Sequence, residues 1–200
     1  VTEYTISNQS YKVFTYLESG TFTIEQDTEV DFLVVGGGGG GSGGASGSNE
    51  GGGGGAGGFR TNVPSPASGG FSVSATTYPI TVGGGASGIA TGPNNIQPGP
   101  TSGRNGSTST FSTISSAGGG AGSSNTPPQA GADGGSGGGG AGQGGGTGGS
   151  GNTPPVSPPQ GQNGGAGDQP TSGRAGGGGG AGGTGSTAPH PAYGRPGGAG

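Results

Sequence analysis

The composition of the chain changes at a single point, where Val30-Asp31-Phe32-Leu33-Val34-Val35 runs directly into six consecutive glycines, 36–41. Before this point, β-branched and aromatic residues are common, as is typical of strands. After it, glycine tracts alternate with connections rich in Ser, Thr, Asn and Pro. We therefore expect a small β cap over residues 1–35 that leads into a glycine-rich region over residues 36–200.

Residues 1–35 contain three strand-like runs, at 11–17, 21–24 and 30–35. The connection Glu18-Ser19-Gly20 is short and contains glycine, so the first two runs are expected to pair antiparallel as a hairpin. The apolar contacts of the cap are expected to come mainly from Val13, Phe14, Leu17, Phe22, Ile24, Phe32 and Val34.

Glycine dominates the whole sequence: the 200 residues include 62 Gly and 16 Pro, and only 22% are hydrophobic. A typical globular domain has about 45–50% apolar residues. Burial of apolar surface, worth about 25 cal/mol per Å², cannot then offset a backbone ordering cost of about 1–2 kcal/mol per residue. Either the region is a disordered linker, or hydrogen bonds between backbone segments hold it together.

Two β-like segments interrupt the glycine tracts, near 71–82 and 109–114. In the first, Phe71 and Val73 alternate with Ser72 and Ser74, which is typical of a half-buried strand. Short words recur at tract boundaries, such as Thr-Ser-Gly-Arg at 101–104 and 171–174. Because their spacing is irregular, the chain is not a fixed-period solenoid. We expect the two β-like segments to extend or cover the cap.

Left-handed extended helices of the polyglycine II type are the ordered structure that such tracts predict. A collagen triple helix needs glycine at every third position, and consecutive glycines break that pattern. A polyproline II-like helix has three residues per turn and no internal hydrogen bonds, so its backbone groups must bond to neighbouring helices. The predicted fold is mainly irregular and β: a small antiparallel β cap followed by a bundle of left-handed polyglycine II helices, with no α-helix.

This packing predicts a position-dependent response to added side chains. Valine in the middle of a tract, at Gly54 or Gly179, should occupy the space of a neighbouring helix and disrupt packing. Valine at Ser48 or Gln160, which we place in connections, should cost little.

Several classes of function lack the residues that they need. The cations Lys12, Arg60, Arg104, Arg174 and Arg195 are scattered singly, so no nucleic-acid partner is expected. No apolar run is long enough to insert into a membrane. With His190 as the single histidine, no cysteine and dispersed carboxylates, we expect no catalytic centre, metal site or cofactor. The chain is not expected to be an enzyme.

Several non-glycine words of the sequence resemble the glycine-rich domains of bacteriophage tail-fibre proteins. The most specific is Gly-Asn-Thr-Pro-Pro-Val-Ser-Pro-Pro-Gln-Gly at 151–161; the others are the β run opening a glycine tract at 31–36, Gly-Gly-Ala-Gly-Gly-Phe-Arg-Thr, Tyr-Pro-Ile-Thr-Val-Gly and Ser-Thr-Phe-Ser-Thr-Ile. The resemblance implies an extracellular component of the virion, in a tail fibre, whose polyglycine II bundle presents loops to the host. It also implies a bacterial cell-surface receptor, either a glycan or an outer-membrane protein, and other fibre subunits in a homo-oligomer.

Four residues near the ends of glycine tracts are the candidates for receptor contact: Phe59, Arg60, Phe111 and Tyr193. Aromatic rings stack on sugars, and arginine binds acidic glycans. The alternative, which we favour, is that these residues cover tract ends and donate to backbone carbonyls. Two other functions stay open at this point: a purely structural fibre-forming or surface-coat protein without a receptor, and a disordered extracellular linker.

Overall fold

The computed structural model describes residues 1–44, 50–63, 70–89, 103–124, 130–142, 144–168, 173–188 and 198–200. Within these residues the chain has no helix, and its strands are short and antiparallel. Most residues of the described glycine tracts belong to no helix or strand. The strands are β1 (Thr2–Ile6), β2 (Gln9–Val13), β3 (Gly20–Thr23), β4 (Thr28–Val30), β5 (Leu33–Val35), β6 (Phe59–Thr61), β7 (Phe71–Val73), β8 (Thr77–Thr81), β9 (Ser109–Phe111) and β10 (Ile114–Ser116).

The first hairpin of the chain is β1–β2, closed by Ser7 and Asn8. Both turn residues have positive φ, 50° and 65°, as a two-residue turn of this type requires. The expected hairpin across Glu18-Ser19-Gly20 is therefore wrong: β2 pairs with β1, and β3 pairs with β8 instead. The predicted strand at 11–17 ends at Val13, and the strand 2–6 was missed.

The main sheet has four strands in the order β10-β9-β8-β3. Both β-like segments contribute to it or to its flanks, because β8 pairs with β3, β9 pairs with β8, and β7 pairs with β4 in a separate ribbon. This confirms the expectation that the two segments extend the cap. The run at 30–35 is divided, since Val30 belongs to the β4–β7 ribbon and Leu33–Val35 to a β5–β6 ribbon.

The apolar core of the cap is built around Phe22, Val73 and Phe111. Phe111 makes edge-to-face contacts with Phe22, Phe71 and Tyr78, at centroid distances of 6.0, 5.7 and 5.8 Å. The residues packed around this core are Tyr16, Ile24, Val30, Phe32, Val34, Phe71, Tyr78 and Ile80. Aromatic residues from three separate parts of the sequence therefore meet in one cluster.

The expected apolar set of the cap is confirmed for most of its members. Phe22, Ile24, Phe32 and Val34 belong to the core or pack against it. Phe14 is partly exposed, but its ring contacts that of Phe22 edge-to-face at a centroid distance of 5.0 Å. By contrast, Leu17 is 85% exposed, and Val13 is also exposed. The reason is that residues 14–19 form no strand, so the alternation that would have turned Leu17 inward is absent.

The β5–β6 ribbon continues directly into the glycine region. Val35 pairs with Phe59 in the ribbon, and the next backbone hydrogen bonds join Gly36 to Gly58, Gly39 to Gly55 and Ser42 to Gly52. The strand edge thus sets the alignment of the first two glycine tracts, 36–42 and 52–58.

Candidate functional site

Backbone hydrogen bonds join the glycine tracts to one another with a recurrence of three residues. The N–H groups of Gly36, Gly39 and Ser42 bond to tract 52–58, whereas those of Gly37 and Gly40 bond to Ser107 and Arg104. The carbonyls of Gly38 and Gly41 accept from Ala86 and Ile89. Residues three apart therefore form hydrogen bonds with the same neighbouring tract, and consecutive residues form them with different tracts.

Tract 134–142 is enclosed by other tracts on every side. All of its residues are buried, and pairs of residues three apart share a neighbour here too. The bonded partners around its middle, residues 136–141, are Gly53 and Ala56, Gly120 and Ser123, Ala132, Gly146 and Gly149, Gln162 and Gly165, and Gly176 and Gly179. This tract is the centre of the glycine region, held by main-chain groups instead of apolar side chains.

Close packing of main chains leaves no room for side chains at most tract positions. A Cβ at Gly54 would overlap the carbonyl of Gly39, and one at Gly179 would overlap the carbonyl of Gln162. At Gly84, by contrast, no heavy atom of the described chain lies within 4 Å of the added Cβ. Interior positions such as Gly54 and Gly179 thus have no room for any residue larger than glycine, whereas the outer position Gly84 does. The expected loss of packing on substitution at Gly54 and Gly179 has a structural basis.

Gln160 was expected to tolerate substitution, but the structure surrounds its side chain with bonded partners. Its side chain is only 1% exposed. Its Oε1 accepts from the Ala117 N–H at 2.8 Å, and its Nε2 donates to the Pro154 carbonyl at 2.8 Å. The Gln160 side chain is therefore part of the packed region and does not lie in a solvent-exposed connection. Ser48 lies outside the described residues.

Phe59 lies on an exposed apolar face of the β5–β6 ribbon. It is 42% exposed, and its ribbon partner Val35 and the alternate residue Leu33 are 48% and 60% exposed. Alternation places Val34 on the opposite face, where it packs against the core. The same alternation could have been used to identify Leu33 and Val35 as surface residues from the sequence, since Phe32 and Val34 were expected inside.

The segment 151–160 is bonded to the ribbon at Phe59, through its last residue. The Phe59 N–H donates to the Gln160 carbonyl at 2.7 Å. Asn152 organises the segment, because its Oδ1 accepts from the N–H groups of Val156 and Gln160 and its Nδ2 donates to the Val156 carbonyl. Pro154, Pro155, Ser157, Pro158 and Pro159 are exposed. We call Leu33, Val35, Phe59 and residues 154–159 the Phe59 surface.

The other three candidate residues do not join this surface. Phe111 is 8% exposed and lies in the core of the cap, so we do not retain it as a contact residue. Arg60 is half-buried on the opposite face of the ribbon and donates from an Nη to the Ser115 carbonyl at 3.4 Å. Tyr193 lies outside the described residues, as do His190 and Arg195.

The family model described as a glycine-rich domain matches residues 15–200. The chain belongs to this glycine-rich domain family. No curated protein and no solved structure shows significant similarity to it.

The glycine-rich domain match covers the main sheet, the Phe59 surface and all of the tracts, but it leaves out the β1–β2 hairpin. Within the described residues, the hairpin packs against none of the strands β3–β10. Its exposed Tyr4 and Tyr11 stack on each other with centroids 5.8 Å apart. The hairpin is thus structurally peripheral to the glycine-rich domain.

Metal binding and membrane insertion are two other functions to consider for the described part of the glycine-rich domain. No cluster of three or more His, Asp or Glu side chains that could hold a metal ion occurs there. Nor does it contain a helix with the length and hydropathy needed to cross a membrane. The expectations of no catalytic centre and no cofactor stay predictions.

Proposed function

We propose that this glycine-rich domain is a structural and adhesive module of a phage tail fibre. In this proposal the glycine tracts are left-handed threefold helices of the polyglycine II type, packed side by side as rigid rods. The loops at their ends are presented to a bacterial surface. The domain acts as a non-enzymatic scaffold on the outside of the virion.

The recurrence of three residues in the hydrogen bonds supports the rod structure. A polyproline II-like helix has three residues per turn, so every third residue faces the same direction. Of the described glycines, only Gly144, Gly145 and Gly173 have positive φ. The other described glycines fall outside the positive-φ region, as this helix, with φ near −75°, requires.

The enclosure of tract 134–142 is the observation that carries the proposal. In hexagonal packing, a central rod sends N–H groups in three directions and receives N–H groups from three others. The bonds of this tract follow that scheme, with donors at Ser136 and Gly139 toward tract 52–58 and acceptors at Gly137 and Gly140 toward tract 174–180. Each bond contributes about 0.5–1.5 kcal/mol net, and a rod bonded on all sides collects enough of them to stay ordered.

The Phe59 surface supports the adhesive part of the proposal. It combines an aromatic ring, two aliphatic side chains and exposed prolines on a segment held by Asn152 and Gln160. A preorganised surface loses less conformational entropy on binding. Aromatic rings also stack on the apolar faces of sugars. The tail-fibre assignment itself rests on the resemblance of the non-glycine words, above all residues 151–161.

Binding to bacterial cells tests the adhesive role. Fluorescently labelled domain should bind cells from some strain in a bacterial panel. Protease treatment or periodate oxidation of those cells should remove the binding, and which treatment does so separates a protein receptor from a glycan. Phe59→Ala should weaken binding by about 30-fold, the loss that corresponds to a hot-spot contribution of about 2 kcal/mol.

Leu17→Ala is the matched control, because Leu17 is 85% exposed and precedes β3, at the edge of the main sheet farthest from β10. It should leave binding unchanged. If both variants bound as well as the wild type, the Phe59 surface would not be the receptor contact. If the folded domain bound no strain in a broad panel, the receptor role would be abandoned. The purely structural fibre-forming role would then be the better account.

A further inference from the structure

Asn-Gly steps occur twice in the sequence, at Asn105-Gly106 and Asn163-Gly164. Asparagine is thermally labile, and it deamidates fastest before glycine, because glycine has no side chain to hinder attack by its own backbone nitrogen. Asn105 and Asn163 are both exposed, so water reaches them in the folded domain. Burial therefore does not protect these two residues, and their hydrogen bonds decide how reactive they are.

The first Asn-Gly step holds a neighbouring tract by two bonds. The Asn105 Oδ1 accepts from the Ala121 N–H at 2.8 Å, and the Gly106 N–H donates to the Gly119 carbonyl at 2.9 Å. The side-chain carbonyl and the next N–H thus bind two residues of one tract. We call this arrangement an Asn-Gly clamp.

The second step forms the same clamp in another part of the glycine region. The Asn163 Oδ1 accepts from the Gly151 N–H at 2.8 Å, and the Gly164 N–H donates to the Gly149 carbonyl at 2.9 Å. As in the first clamp, the two bonded residues are two positions apart in one neighbouring segment. The same arrangement at both Asn-Gly steps of the sequence indicates a common role.

Packing of the tracts requires the glycine of each step. A Cβ at Gly106 would overlap the carbonyl of Gly37, and one at Gly164 would overlap that of Gly138. A larger residue, which would slow the attack on the preceding Asn, therefore does not fit at either position. The domain thus carries a labile dipeptide at two places where packing leaves no alternative.

We propose that Asn105 and Asn163 are latent deamidation sites, which the clamps keep unreactive and which react when their tracts open. In this reaction the glycine nitrogen loses its proton and bonds to the Asn Cγ, and the side-chain nitrogen leaves as ammonia. Water then opens the resulting succinimide ring at one of its two carbonyls, which gives aspartate or isoaspartate. Solvent water is the co-reactant, and no oxidant or reductant is needed.

Both reacting groups are engaged elsewhere in the closed clamp. The Gly106 N–H is bonded to Gly119, and the Asn105 side chain is bonded to Ala121. The Ala121 N–H polarises the Asn105 side-chain carbonyl and would favour attack, but the nitrogen reaches Cγ only after its own bond to Gly119 has broken. The rate of deamidation should therefore follow the population of the locally open tract.

The product decides whether an opened tract can close again. Aspartate at position 105 keeps an Oδ1 that can accept from the Ala121 N–H. Isoaspartate instead places the former side-chain carbons in the backbone, which lengthens the chain by one methylene group before Gly106. The Gly106 N–H then no longer meets the Gly119 carbonyl while the rest of the tract keeps its register. Isoaspartate formation thereby makes the opening irreversible.

Peptide mapping by mass spectrometry tests this inference on the full chain, and its result does not depend on receptor binding. In the same buffer and at the same temperature, Asn105 and Asn163 should deamidate at least about 10-fold more slowly in the native chain than in the urea-unfolded chain, since an opening free energy of about 1.4 kcal/mol gives that factor. Equal rates in the two states would overturn the inference.

Urea below the unfolding transition gives a second measurement on the wild type. It should accelerate the deamidation of Asn105 and the amide exchange of Gly106 by the same factor, because both require the same local opening. A deamidation rate that stayed constant while amide exchange accelerated would also overturn the inference.

Ala121→Pro tests the clamp itself, because proline lacks the N–H that the Asn105 Oδ1 accepts. Asn105 should then deamidate about 10-fold faster than in the wild type, while Asn163, whose clamp lies elsewhere, keeps its wild-type rate. An Asn105 rate equal to that of the wild type would reject the clamp as the protecting element. If the variant failed to fold, both Asn residues would react at the unfolded rate, and the urea series of the wild type would decide.

Discussion

At the scale of single residues, the glycines of this domain divide by what surrounds them. Gly179 lies against the carbonyl of Gln162, which belongs to a neighbouring tract and cannot move independently. Gly84 has open space around it in the described chain. The same residue type therefore has a steric role at one position and none within the chain at the other.

The substitution Gly→Ala should consequently have opposite effects at these two positions. Gly179→Ala should destabilise the domain by about 1–3 kcal/mol, the usual cost of forcing an extra group into a close-packed interior. Gly84→Ala should be neutral or stabilise it by up to about 1 kcal/mol, because alanine reduces the entropy of the unfolded chain and its φ is compatible. Chemical unfolding of both variants measures this, and equal effects at the two positions would contradict the steric division.

Gln160 provides a second test at residue scale. Gln160→Leu keeps the side-chain volume but leaves the Ala117 N–H and the Pro154 carbonyl without their partners. An unsatisfied buried group costs about 1–3 kcal/mol, and the melting temperature should fall accordingly. Gln162→Leu is the control, because Gln162 uses only backbone groups in the described hydrogen bonds. A Gln160 variant as stable as the control would show that the closure of the tract end does not depend on this side chain.

At the scale of elements, the strands of the cap were predictable wherever a short run of β-branched and aromatic residues marks a strand. The β-branched and aromatic runs marked β3, β5, β7, β8 and β9, and the alternation of Phe71 and Val73 with serine marked the buried side of β7. Strand partners were not predictable in the same way. β3 pairs with β8, more than fifty residues away, and no local rule distinguishes that partner from an adjacent run.

The candidate contact residues illustrate the same limit. Phe59 and Phe111 both follow or precede glycine tracts and look alike in the sequence. Only the pairing of β9 with β8 brings Phe111 between Phe22, Phe71 and Tyr78, whereas Phe59 begins the β6 edge and stays exposed. Whether an aromatic residue is buried in this domain depends on pairing between strands that are distant in the sequence. Local composition does not predict that pairing.

At the scale of the whole molecule, two kinds of interaction stabilise different parts of the chain. The cap is held by aromatic and aliphatic side chains around Phe22, Val73 and Phe111. The glycine region is held by main-chain hydrogen bonds between tracts, with tract 134–142 at its centre. The β5–β6 ribbon joins them, because its pairing continues from Val35 and Phe59 into Gly36 and Gly58. The pairing in the cap is thus continuous with the pairing of the first two glycine tracts.

Hydrogen exchange of individual backbone amides is the most direct test that the glycine tracts form a hydrogen-bonded bundle. The account predicts slow exchange for the amides of residues 135–140, which are buried and donate to neighbouring tracts. It predicts fast exchange for Thr184 and Thr187, which are exposed and whose N–H groups donate to no described residue. Fast exchange at 135–140, at the rate of Thr184 and Thr187, would contradict the account and identify the tracts as a flexible linker.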